Sequence, residues 1–185
     1  MSSLYLFALI DIESSKFQPT NSNGFIKMNI KKASEKDLPY VLELNTASIP
    51  HVSKVNLDDM RTFLKYADPF LIIEEEGKIA GFMIVLQKGL DYKSLNYKFF
   101  CDNYSDFDYV DRIVISKEFR GKKFGTSLYN YLFQNSNQKM ITCEINIKPP
   151  NINSMEFHKA LGFNQVAEQV TEGGNKSVAM MIKIL

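Results

Sequence analysis

Residues 109–147 carry the pattern that most restricts what this chain can fold into: a strand-like run, YVDRIVIS, a basic turn, FRGKK, helical apolar spacing to about Phe133, and a second strand-like run, MITCEINI. A strand, a helix and a further strand in succession form a crossover, which calls for helices lying against a sheet. In the second run Ile141, Cys143, Ile145 and Ile147 share one face at a period of two, leaving Thr142, Glu144 and Asn146 on the other. Pro149 and Pro150 end it.

The turn suits an anion. A helix start leaves backbone N–H groups unpaired and carries partial positive charge, and Gly121 and Gly125 let a phosphate approach closely. Arg120 adds a planar fork of donors, while Lys122 and Lys123 add less directional charge. No Lys-Ser or Lys-Thr pair follows Gly125, which excludes a Walker A loop, and the glycine spacing of a dinucleotide fingerprint is absent. Taken alone, the stretch leaves open an ordinary basic turn at a helix start.

Around this unit the periodicities change in a regular order. FIKMNIK alternates like a short strand. In SEKDLPYVLELNTAS, Ser34 and Asp37 have capping-box spacing, Pro39 lies in an early turn, and Leu38, Val41 and Leu42 share a face. Asn56 caps a second amphipathic helix with a stripe of Met60, Phe63, Leu64 and Ala67, and Pro69 lies beyond its end. FLIIEEEGKIAGFMIVLQ reads as two strands joined at Gly77-Lys78. A long connection runs from about Lys88 to Asp108. After the crossover come a helix over about 151–161, closed by Gly162, and a final hairpin of NQVAEQV with KSVAMMIKI. The expected order is β, α, α, β, β, β, α, β, α, β, β. That is an α/β (α+β) arrangement with a mixed central β-sheet flanked by about four helices. The length of 185 residues suits one domain over 25–185, with residues 1–24 as an N-terminal extension, either an appendage or an edge strand at Tyr5–Ile10.

Composition removes several classes. With 22 basic against 21 acidic side chains, no excess charge drives binding to nucleic acid or anionic lipid. Cys101 and Cys143 are too few for a disulfide framework and lack paired metal-ligand spacing, and His51 has no second ligand nearby, so no metal is expected. Cys143, alternating with isoleucines, reads as core. No apolar run approaches the roughly 20 residues of a spanning helix. LYLFALI has no basic residue before it and is followed by Asp11 and Glu13, so it reads as neither signal peptide nor anchor. A cytoplasmic protein is expected.

Two motifs in sequence, the Arg120 turn and NINSMEFHKALGF, resemble those of the Gcn5-related N-acetyltransferase (GNAT) family, and the resemblance covers about residues 25–185. The family's pyrophosphate-binding pattern is Gln or Arg, two residues, Gly, one residue, then Gly or Ala. Arg120 and Gly125 match it, and Lys123 stands where the first glycine belongs. Asn151, Ser154, Phe157-His158 and Gly162-Phe163 match the last helix, with His158 where many members carry Tyr. The resemblance implies a GNAT-like acyl-CoA N-acyltransferase fold with acetyl-CoA as co-substrate. Its pyrophosphate would lie on Arg120, Gly121, Lys122, Lys123, Phe124, Gly125 and Thr126, and its pantetheine along Ile113, Val114 and Ile115 in a gap beside Met140–Ile147. Asn151, with Ser154 and Phe157 on the same helix, would hold the pantetheine or the thioester region.

Acetyl transfer to an amine needs a base for the amine, stabilisation of an oxyanion and a proton for the leaving thiolate. His158 is the candidate acid, against a packed, hydrogen-bonded histidine as the alternative. Asp111 and Glu144 are candidate bases, with a local salt bridge to Arg112 as the other reading of Asp111. Tyr92, Tyr97, Phe100 and Tyr104 in the long connection are candidate acceptor contacts, and Asp102, Asp106 and Asp108 would favour a cationic acceptor. A packed lid without substrate contact is the alternative there. The implied function is transfer of an acetyl group to a primary amine of a small molecule or peptide by direct attack in a ternary complex. The implied partners are acetyl-CoA and an amine acceptor, with no nucleic acid and no membrane, in a monomer or homodimer. The rival is a non-catalytic acyl-CoA-binding module of the same fold.

Overall fold

The computed structural model describes residues 28–185, so the proposed extension over 1–24, with its Tyr5–Ile10 strand, lies outside the described residues. Seven strands and five α-helices alternate: β1 (Met28–Lys32), α1 (Leu38–Thr46), α2 (Leu57–Tyr66), β2 (Phe70–Glu75), β3 (Lys78–Gln87), α3 (Leu95–Asn103), β4 (Asp108–Ile115), α4 (Phe124–Asn135), β5 (Met140–Lys148), α5 (Ile152–Ala160), β6 (Asn164–Thr171) and β7 (Lys176–Ile184). All eleven expected elements are present. α3 is an addition: the stretch expected to be a connection from Lys88 to Asp108 folds a helix whose Ser94 cap accepts from the Tyr97 N–H.

Helix starts follow local chemistry. Asp37 reaches back to the Ser34 N–H at 2.9 Å ahead of α1. Asn56 and Asp59 exchange bonds of 2.8 and 2.9 Å at the start of α2. The seven strands form one sheet in the order β1-β2-β3-β4-β5-β7-β6. Every neighbouring pair is antiparallel except β4 and β5, which are joined by the α4 crossover.

Strand alternation sorts side chains into two cores. Leu71 and Ile73 of β2 and Ile141, Cys143 and Ile145 of β5 pack with Phe124, Leu128, Tyr129 and Leu132 of α4, with Met155 and Phe157 of α5 against the same cluster. Phe70 and Ile72 of β2 and Phe82 and Ile84 of β3 pack with residues of α1, α2 and α3 on the other face. Because β2 and β3 are covered on both faces, Phe70–Ile73 is a continuous buried run. Each fully buried aliphatic side chain there contributes about 1.5–3 kcal/mol of burial energy. No helix among the described residues is long and apolar enough to cross a membrane.

Candidate active site

The parallel pairing of β4 with β5 is short. It runs from Asp108↔Ile141 through Tyr109↔Thr142 to Val110↔Cys143 and stops, although β4 continues to Ile115 and β5 to Lys148. At the same level β4 bulges against β3: Ile84 pairs with Arg112 and Val85 with Val110, leaving Asp111 as the extra residue. Such a bulge re-aims side chains and bends a strand. After it, Arg112 falls on the face of α1 and α2, 4.8 Å from the Phe63 ring centre, while Ile113 and Ile115 face the α4 side.

Beyond Val110 and Cys143 a cleft of about 900 Å³ opens, bordered by Ile113–Ile115, the Arg120 turn and the start of α4 at one end, and by Glu144, Asn146 and α5 at the other. Gly121 (φ 78°) and Lys123 (φ 65°) take the left-handed conformation just before α4 begins at Phe124. The first helical amides, of Phe124, Gly125 and Thr126, precede the first residue able to bond back within the helix, Ser127, whose N–H reaches Lys123 at 2.9 Å. A Cβ at Gly125 would lie 3.1 Å from the Phe157 ring of α5. Arg120 borders the cleft and donates to the Ile115 carbonyl at 3.3 Å. Lys122 does not share this placement. It pairs with Glu75 at 3.1 Å and lies over the Phe119 ring, outside the cleft lining, which corrects its expected place in the phosphate cradle.

At the closed end two carboxylates face each other across the splay. Glu144 accepts from the Tyr109 hydroxyl at 2.6 Å and from Asn96 Nδ2 at 3.1 Å. Burial, followed by the charge on Asp111, pushes its carboxyl from 4.5 up to about 7. Asp111 accepts from the Tyr92 hydroxyl at 2.6 Å and from Arg112 Nε at 2.7 Å. The salt-bridge reading of Asp111 is therefore present in the structure, and the Arg112 guanidinium also holds Asn45 at 2.8 Å and Ser53 Oγ at 3.2 Å. Burial raises the Tyr92 phenol, and the Asp111 charge adds to the effect.

His158 differs from its expectation. It is 3% exposed, and Nδ1 lies 2.7 Å from the Ser154 carbonyl, which can only accept. The neutral ring therefore carries its proton on Nδ1, and Nε2 accepts from the Tyr129 hydroxyl at 2.7 Å. Burial lowers its pKa, favouring that neutral form. The packed, hydrogen-bonded reading holds, and no proton on Nε2 is offered to the cleft. Asn151 caps α5 by accepting from the Ser154 N–H at 3.2 Å, and both residues border the cleft with Phe157.

Of the four aromatic candidates only Tyr92 borders the cleft. Tyr97 is buried with its hydroxyl on the Gln87 carbonyl at 2.6 Å, Phe100 is wholly buried, and Tyr104 lies tilted against the Phe100 ring. These three form the underside of α3, which corrects their assignment to an acceptor wall. Asp102 pairs with Lys98, and Asp108 is buried at the far end of β4, where it accepts from Ser136 at 2.7 Å; neither they nor Asp106 border the cleft. Asn96, Tyr109 and Tyr129 carry no local sequence signal, because each bonds to a partner distant in sequence. Among the described residues no group of three or more His, Cys, Asp or Glu could hold a metal.

Comparison with known proteins identifies the fold and the family. No curated protein sequence matches the chain significantly. Ard1 from Thermoplasma volcanium superposes with a TM-score of 0.69 at 16% identity, covering 85% of this chain and 97% of the other. The ribosomal-protein-S18-alanine N-acetyltransferase from Escherichia coli gives 0.64 at 14% identity, covering 84% and 92%. YncA from Salmonella typhimurium, solved with its cofactor acetyl-CoA, gives 0.63 at 19% identity, covering 85% and 93%. At these identities the superpositions establish the fold. Residues 35–163 match the model of the acetyltransferase (GNAT) family, and the chain belongs to that family.

Proposed function

We propose that this protein transfers the acetyl group of acetyl-CoA to a primary amine of a small molecule or peptide, by direct attack in a ternary complex. The observation that carries the reading is the splay of β4 from β5, with the Arg120 turn at its open end and the Glu144 carboxyl, held by Tyr109 and Asn96, at its closed end. The α4 amides of residues 124–126 and Arg120 would hold the pyrophosphate, and the backbone of Ile113–Ile115, unpaired with β5, would take the pantetheine as an added strand. Acetyl-CoA supplies the activated acyl group. Glu144 is the general base: a carboxyl near neutrality can take the ammonium proton, directly or through one water, and still be ionised for the next cycle. Asp111, tied on both oxygens, serves to keep Glu144 basic rather than to accept the proton itself. As the amine nitrogen bonds to the thioester carbon and the C–S bond breaks, the thiolate takes its proton from water, because the Tyr129 hydroxyl proton is committed to His158 Nε2. The acceptor enters past Tyr92 and the Ser48–Ser53 loop.

Calorimetric titration with acetyl-CoA is the test, with Gly125→Glu as the control. That side chain would enter a space where even a Cβ lies 3.1 Å from Phe157, and it would set a negative charge among the amides meant for phosphate. One-to-one binding that the folded variant loses, followed by thiol release with an amine panel, is the expected result. Binding without turnover of any amine would favour the non-catalytic module. Absence of binding at millimolar acetyl-CoA would overturn the proposal.

A further inference from the structure

The acetyltransferase reading of Glu144 leaves one side chain beside it without a role. Asn96 lies in the first turn of α3, the helix folded by residues expected to be a connection. Its Nδ2 donates to Glu144 Oε1 at 3.1 Å, and its Oδ1 accepts from Gln169 Nε2 of β6 at 2.9 Å. The orientation follows from chemistry, because an ionised carboxylate only accepts and so draws the amide nitrogen, leaving the amide oxygen for Gln169. Glu144 Oε2 is held separately by Tyr109. Three elements distant in sequence thus meet at one carboxylate.

We propose that Asn96, braced by Gln169, is a positioning residue that orients the Glu144 carboxylate and stabilises its ionised form, making α3 part of the catalytic machinery. The inference rests on the reading of Glu144 as the base. The charged and titratable groups around Glu144 are Tyr109, Asp111 and Arg112 from β4, Tyr92 from the loop before α3, Tyr129 from α4, Cys143 from β5 itself, Lys176 from β7, and His51, which borders the same cleft from the loop after α1. Asp111 opposes ionisation of Glu144, whereas Tyr109, Asn96 and Lys176 favour it. Asn96→Leu alters none of the charged groups, so a change in Glu144 titration in that variant reports the loss of the Asn96 bond.

The experiment is a carbon-13 NMR titration of the Glu144 carboxyl, assigned with Glu144→Gln, run beside the pH profile of kcat/KM for acetyl transfer. Removal of one hydrogen bond to a carboxylate in Asn96→Leu should raise the titration midpoint by about one unit. The acid limb of kcat/KM should move with it, lowering the rate about tenfold below the limb and much less at alkaline pH. Asn96→Asp keeps the shape but adds a like charge, so it should shift the midpoint further upward. Gln169→Leu frees the far side of Asn96 and should produce a smaller shift of the same sign. If Asn96→Leu fails to fold, Gln169→Leu, which adds no charge, carries the test. An unshifted midpoint in folded variants, with a wild-type activity that Glu144→Gln abolishes, would overturn this inference alone. Turnover that survives Glu144→Gln would overturn the assignment of Glu144 as base, and with it the catalytic role of Asn96.

Discussion

Burying an ionisable base has a cost in stability that Glu144→Gln should reveal. In the folded protein the carboxyl titrates at about 7 against an ordinary 4.5, so between those values the native state binds a proton that the unfolded state has lost. Stability therefore falls as pH rises through this window. The shift of about 2.5 units corresponds to a ceiling of about 3 kcal/mol at about 1.36 kcal/mol per unit. Glu144 borders the cleft and keeps partial exposure, so water lowers the realised penalty to about 1–2 kcal/mol. Glutamine can keep both contacts: its oxygen accepts from Asn96, and its nitrogen donates to the Tyr109 hydroxyl, which accepts as readily as it donates. The assay is urea unfolding of both proteins from pH 4.5 to 8. The variant should match the wild type at the acid end and exceed it by about 1–2 kcal/mol at pH 8, while losing acetyl transfer. A stability difference that does not change with pH would refute the reasoning, because it would mean that Glu144 titrates alike in the folded and unfolded chains.

Other substitutions probe the groups around it. Arg112→Met leaves Asp111 buried without its cation and should cost about 3–5 kcal/mol in urea unfolding, much of it recovered when Asp111→Asn is added. His158→Leu removes the acceptor of the buried Tyr129 hydroxyl and should cost about 1–3 kcal/mol. Since burial lowers the pKa of His158, the wild type should also lose stability as pH falls below about 6.5, and that slope should flatten in the variant. Lys123→Gly relieves a left-handed lysine at φ 65° and should raise stability by about 0.5–1 kcal/mol, read as a higher melting temperature.

The elements of the fold were largely legible because their causes are local. Asn56 with Asp59 caps α2 from within four residues, and the period of two in MITCEINI already separates the isoleucine row from Glu144. α3 is illegible in the sequence for the converse reason: LNYKFFCDN buries only Tyr97 and Phe100 and offers little apolar stripe, so its helix depends on the sheet face that it covers. At the Arg120 turn, Lys122 and Lys123 are equivalent as sequence. Only the fold sends one to Glu75, 47 residues away, and leaves the other at the cleft.

The amino-acid sequence by itself determined the order of every strand and helix but α3, the anion-suited turn and the face on which Glu144 lies, since propensity, capping and periodicity act over a few residues. Tertiary structure decided which groups meet in the cleft. The bulge at Asp111, the end of β4–β5 pairing at Val110 and Cys143, and the bond from Asn96 to Glu144 across 48 residues arise from strand register and packing. The sequence already offers Glu144 as a candidate base, but the upward push of its carboxyl to about 7 comes only from removal of water and from the charge of a second carboxylate, Asp111, conditions no short stretch of chain can set.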